Sequence, residues 1–124
     1  MPSTEVSAVT LRALEILSSH LNAPQMPLQV AITFLHVATR SEVHMSDLEK
    51  LLEVSKPTLS RTVAMLGRGI NIDKPGYNLV QTAEDPMNRK FKIISLTAEG
   101  HAVLKEIEKK GGAWNRLLET RLDH

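Results

Sequence analysis

The sequence predicts a mainly α-helical domain carrying a small β-hairpin, an α+β class. Three observations lead there. Aromatic residues make up only 3% of the chain against 42% hydrophobic residues, so the core must be built from Leu, Ile, Val, Met and Ala, which suit packed helices better than a β-sandwich. Apolar residues recur at helical spacing through most of the chain. After Gly67 that period gives way to short apolar runs between Gly69, Pro75-Gly76 and Asp85-Pro86, which are turn signals. At 124 residues one modest core is the expectation, hence a single domain spanning residues 1–124.

Residues 4–21 place Val6, Val9, Ala13, Ile16, Leu17 and Leu21 on one helical face. Pro24 and Pro27 mark a connection, and Pro27 suits the first turn of a helix because an N–H there would have no partner. Over residues 28–39 apolar side chains cover most of the circumference, which predicts a centrally buried helix. Ser46-Asp47-Leu48-Glu49 has capping-box spacing and predicts a short helix start with Ser46 as cap. That helix breaks near Glu53-Val54, and Ser55 can cap a second one running to about Gly67. A helix-turn-helix over residues 46–67 results.

A hairpin is expected over residues 70–96, with apolar runs at 70–72, 79–80 and 91–96. Thr97 then caps a last helix whose apolar face holds Val103, Leu104 and Ile107. Gly111-Gly112 interrupts it before Trp114, Leu117, Leu118 and Leu122 resume the pattern.

Composition excludes several classes. The absence of cysteine rules out a disulfide framework, a thiolate metal site and a redox thiol. The first ten residues lack the pattern of a secretion signal, and the most apolar stretch, residues 30–38, is too short to span a bilayer. A cytoplasmic protein with no membrane partner is the simplest reading. No nucleophile has a recognisable base nearby and no Gly-rich loop follows a strand, so no enzyme activity and no cofactor are expected. His20, His36 and His44 with Glu42 lack the compact spacing of a metal site, and His36 reads better as a packed or interfacial histidine.

Net charge is only +1, but its distribution is uneven. Between residues 55 and 92 lie seven cations, Lys56, Arg61, Arg68, Lys74, Arg89, Lys90 and Lys92, against three acids, Asp73, Glu84 and Asp85. A local positive field of this kind suits a polyanion. On the second helix of the pair, Leu59, Val63 and Leu66 form an inward stripe, leaving the cap Ser55 and Lys56, Pro57, Thr58, Ser60, Arg61, Ala64 and Arg68 outward. Small, hydroxylated and cationic side chains can approach a DNA major groove, with Arg61 near a guanine edge. The alternative is a solvated face of an ordinary helical bundle.

Ser55-Lys56-Pro57-Thr58-Leu59-Ser60-Arg61, then Glu84-Asp85-Pro86-Met87-Asn88-Arg89-Lys90, then Leu96-Thr97-Ala98-Glu99-Gly100 together resemble the MarR family of winged helix-turn-helix regulators, over about residues 28–104. The family shows D-P-x-D-R-R in the wing and L-T-x-x-G at the start of the next helix. The resemblance implies a transcriptional regulator, more often a repressor than an activator, that binds double-stranded DNA as a homodimer. It implies that Arg89 enters the minor groove, with Asp85 orienting it, Asn88 in place of the second wing acid and Lys90 on the backbone. A small-molecule effector is typical of the family, though no residue here identifies one.

The resemblance also implies that the end segments, residues 1–26 and 98–124, are dimerisation helices. Val6, Val9, Leu17, Trp114, Leu117, Leu118 and Leu122 are the candidate interface; packing of the two ends within one chain is the alternative. Glu53 stands at a turn position where such proteins often carry Gly. The stretch between Gly67 and Asp85 is longer than usual, and Lys74-Pro75-Gly76-Tyr77 suggests an extra turn that enlarges the wing or adds a contact surface. A winged-helix protein-interaction module, or an accessory DNA-binding protein in replication, partition or phage control, would share the same fold.

Overall fold

The computed structural model describes residues 2–20 and 27–110. The order of elements is α1 (Pro2–His20), α2 (Leu28–Arg40), β1 (Glu42–His44), α3 (Met45–Leu52), α4 (Lys56–Leu66), β2 (Gly69–Asn71), β3 (Lys74–Pro75), β4 (Val80–Asp85), β5 (Asn88–Leu96) and α5 (Ala98–Lys110). The class is α+β, as the sequence predicts. Two compact units are present, one formed by Met26–His101 and one drawing on α1 and on α5 from Ala102 onward.

In the larger unit, α2 packs on α4 and β5, and α3 packs on α4 and β5. Its core is aliphatic apart from Phe34: Val30, Ala31 and Val37 from α2, Leu48 from α3, Leu59, Val63 and Leu66 from α4, and Val43, Val80, Ile94 and Leu96 from the sheet. Thr33 is also fully buried, and its hydroxyl is satisfied by donating to the Gln29 carbonyl at 2.7 Å. Helix α2 is not buried all round, contrary to expectation: Leu28 is 64% exposed. Its apolar residues outnumber the positions its neighbours cover.

Strand β5 is central in a three-stranded antiparallel sheet of order β1-β5-β4. Val43 pairs with Ile94 and His44 with Ile93 on one side; Val80 pairs with Leu96 and Asp85 with Asn88 on the other. Strand β1 has no counterpart in the sequence reading. Its presence also moves the start of α3, because the chain stays extended to His44 and becomes helical at once. The expected Ser46 cap is therefore wrong: His44 holds the N-cap position, with no side-chain cap bond, and Ser46 already lies inside the first turn.

Glu53 closes α3 in the left-handed conformation, φ 54° and ψ 43°, with its N–H on the Glu49 carbonyl. This is the geometry a C-cap glycine usually supplies. Ser55 caps α4 as expected, accepting from the Thr58 N–H at 3.4 Å.

The hairpin expected over residues 70–96 is two separate pieces. Strands β4 and β5 form the wing, while β2 and β3 form a two-stranded sheet of their own. The chain leaving β3 then folds back along the end of α4. The N–H groups of Gly76, Tyr77, Asn78 and Leu79 donate to the carbonyls of Arg68, Met65, Gly67 and Leu66 at 2.7–3.1 Å. Carbonyls that a helix end leaves without partners are satisfied this way. Gly76 is required there, because a Cβ would overlap the Gly67 carbonyl.

In the smaller unit, Leu17 of α1 is buried and Ala13 and Ile16 are half-buried, whereas Leu11 and Leu14 are exposed. Helix α5 buries Val103 and half-buries Leu104 and Ile107, the face expected of it. No helix among the described residues is long and apolar enough to cross a membrane.

Candidate nucleic-acid interface

The site begins with the division of faces on α4. Leu59, Thr62, Val63 and Leu66 are buried, while Lys56, Pro57, Thr58, Ser60 and Arg61 are exposed, as is the cap Ser55. Pro57 lies in the first turn, where a missing N–H costs nothing. The first turn carries no acidic residue, so the positive end of the helix dipole is uncompensated. The Ser55 hydroxyl donates to the Thr58 hydroxyl oxygen at 2.9 Å, which leaves the Thr58 proton free to donate outward. Lys56, Ser60 and Arg61 make no side-chain hydrogen bond or ion pair among the described residues.

Arg68 departs from its expected place. Helix α4 ends at Leu66, and Arg68 sits beyond it in the turn before β2. With Lys92 of β5 and Gln81 and Thr82 of β4, it borders a depression between the end of α4 and the wing. It is a cation beside the helix rather than on its outward face.

The wing turns at Pro86-Met87, with Met87 93% exposed. Two side chains shape the turn: Asp85 accepts the Met87 N–H at 2.9 Å and Asn88 accepts the Lys90 N–H at 3.2 Å. Asn88 performs this as an amide, with no charge to offset the neighbouring cations. Arg89 and Lys90 are exposed and have no ion pair among the described residues.

The expected pairing of Asp85 with Arg89 is replaced. Oδ2 of Asp85 lies 2.8 Å from Nε2 of His44, at the junction of β1 and α3. The residue pattern offers His44 only as a metal ligand and gives no sign of this contact, which joins residues 41 positions apart and follows from a strand too short to announce itself. Asp85 holds the His44 imidazole above its ordinary pKa, and that hydrogen bond, with the Met87 N–H second, holds the Asp85 carboxyl below its own.

Of the candidate interface residues, Leu17 is buried within the single chain. Val6 and Val9 lie on α1, and their side chains, like the whole of Trp114, Leu117, Leu118 and Leu122, fall outside the described residues. Leu11 and Leu14, which the sequence reading passed over, are the exposed leucines of α1.

No protein-family model matches the chain, and no curated protein matches it in sequence. Solved structures do match in fold. A mutant of MepR from a multidrug-resistant S. aureus clinical isolate aligns with 94% of this chain and 76% of its own, at 17% identity and a TM-score of 0.68. The transcriptional regulator Tm0710 from Thermotoga maritima aligns with 94% of this chain and 74% of its own, at 17% identity and a TM-score of 0.66. A mutant of E. coli MarR complexed with operator DNA aligns with 93% of this chain and 78% of its own, at 15% identity and a TM-score of 0.57. The chain has a MarR-like winged-helix fold.

Proposed function

We propose that a chain with this MarR-like fold is a cytoplasmic transcriptional regulator, binding double-stranded DNA sequence-specifically as a homodimer. The observation that carries the reading is the outward face of α4, where Lys56, Thr58, Ser60 and Arg61 are exposed above a buried aliphatic stripe and no acid stands in the first turn. Such a face can enter a major groove, with Arg61 available to the paired acceptors of a guanine and Lys56 to phosphate. Arg89 and Lys90, which have no ion pair among the described residues, follow the wing turn, and a narrow minor groove attracts arginine through its negative potential. In this reading Asp85 and Asn88 shape the wing and Arg68 contacts the backbone beside the helix. The fold likeness to MarR, one mutant of which is solved on operator DNA, supports it.

The homodimer reading rests on α1, which leaves Leu11 and Leu14 exposed, and on the apolar sequence pattern at Trp114, Leu117, Leu118 and Leu122. Repression is the simplest outcome of a dimer that fills two major grooves, since occupancy alone excludes other proteins. Selection of bound duplexes from a random pool tests all of this. The expected result is a near-palindromic site with half-sites one helical turn apart, and an affinity that falls steeply with salt. Absence of retention at low salt would move the chain to the protein-interaction class.

A further inference from the structure

The contact between His44 and Asp85 links two pieces of the larger unit. His44 ends β1 and is the N-cap of α3, while Asp85 ends β4 immediately before the wing turn. One carboxylate therefore holds both ends: Oδ2 meets Nε2 of His44 at 2.8 Å and Oδ1 accepts the Met87 N–H at 2.9 Å. The ring of Phe91, on β5, meets the imidazole edge-on, with centroids 6.2 Å apart. We propose that His44 is the positioning residue of the wing, clasping it to the start of the helix-turn-helix, and that DNA binding is strongest with His44 protonated. This rests on the DNA-binding reading above.

Charged groups face the imidazole from several elements. Asp85 from β4, Asp47 from α3, with Oδ2 4.0 Å from Nδ1, and Glu42 on its own strand favour the cation. Arg40 from the end of α2 and Lys50 from α3 border the same depression, and β5 contributes the uncharged Phe91; partial burial of the ring opposes the cation. The balance raises the His44 pKa above the ordinary 6.5, chiefly through the hydrogen bond to Asp85. The clasp is therefore complete below 6.5 and weakens as pH climbs through the raised value. At the acid end Asp85, held below its ordinary 3.8, loses its contribution only as pH falls through that lowered value.

The test uses the full chain and the duplex recovered by selection, with affinity measured from pH 6 to 8.5 for the wild type, His44→Gln and His44→Ala. Gln retains an N–H for Asp85 but does not titrate. Wild-type affinity should fall about three- to tenfold more than that of His44→Gln across this range, the scale of one net hydrogen bond. His44→Ala should bind more weakly than His44→Gln at every pH. NMR titration of the free protein supplies a reading independent of DNA, with the His44 imidazole titrating above 6.5 and falling in Asp85→Asn. Identical pH profiles for wild type and His44→Gln would overturn the inference and leave DNA binding standing. A His44 titration indifferent to Asp85→Asn would overturn the clasp itself. Failure of every variant to bind any duplex, with a normal titration, would instead remove the DNA-binding reading.

Discussion

The carbonyl oxygen of Leu79 occupies the space that a Cβ on Gly100 would need. That carbonyl accepts the Thr97 N–H at 3.0 Å, and the Thr97 hydroxyl donates to the Asn78 carbonyl at 2.6 Å while accepting the Gly100 N–H at 3.0 Å. The Leu-Thr-x-x-Gly spacing is thus explained by packing: Leu96 is buried, Thr97 caps and tethers, and Gly100 lets the segment before β4 pass against α5. Gly100→Ala should lower stability by about 1–3 kcal/mol, the usual range for overpacking. Urea denaturation measures it, and a midpoint equal to wild type would contradict the close approach.

Arg61→Ala and Arg89→Ala should differ in kind. Loss of Arg61 should relax discrimination at one base pair by about 1–3 kcal/mol, the range for a bidentate contact. Loss of Arg89 should weaken binding and flatten the salt dependence. Affinities for a selected site and its single-base variants, at several salt concentrations, separate the two. Unchanged binding in both variants, with the fold intact, would reject the assignment of α4 and the wing.

Glu53 adopts a left-handed conformation, φ 54°, that disfavours any residue with a Cβ. Glu53→Gly should therefore stabilise the chain by up to about 1 kcal/mol, less whatever glycine adds to the entropy of the unfolded chain. A shift of the thermal midpoint upward is the expected result; a clear decrease would show that the glutamate side chain contributes more than its backbone strain costs.

Leu11 and Leu14 are exposed large apolar residues among the described side chains of α1. Replacing both by Gln should shift a dimer toward monomer in sedimentation equilibrium at micromolar concentration, with little change in helix content. A mass equal to wild type's dimer would place the interface elsewhere.

The parts legible in sequence were those set by local rules. The stripe of Leu59, Val63 and Leu66 with the Ser55 cap predicts α4, and Thr97 predicts the start of α5, because periodicity and capping are read within a few residues. The Ser46 cap failed although its spacing was right, since the backbone there was already committed by β1 pairing with β5. Three residues of strand carry no periodicity to detect. The His44–Asp85 contact depends on that same strand, so it was illegible for the same reason. Lys74-Pro75-Gly76-Tyr77 signals a turn before the wing, but not the form that the segment takes. Its main contacts are backbone hydrogen bonds to the end of α4, which leave no signature in side-chain pattern.

The segment that returns along the end of α4 divides the connection between α4 and the wing into a fixed part and a free one. From Gly76 to Leu79 every residue is committed through its N–H, so an insertion there would release helix carbonyls. At the tip of β2–β3, Ile72 is 98% exposed, and the loop it belongs to is already closed at its base. Lengthening such a closed loop costs only about 0.6 kcal/mol per doubling. The tip is therefore the natural splice point for a fluorophore, an affinity handle or an inserted peptide, and the place where relatives could differ in length without disturbing α4 or the wing.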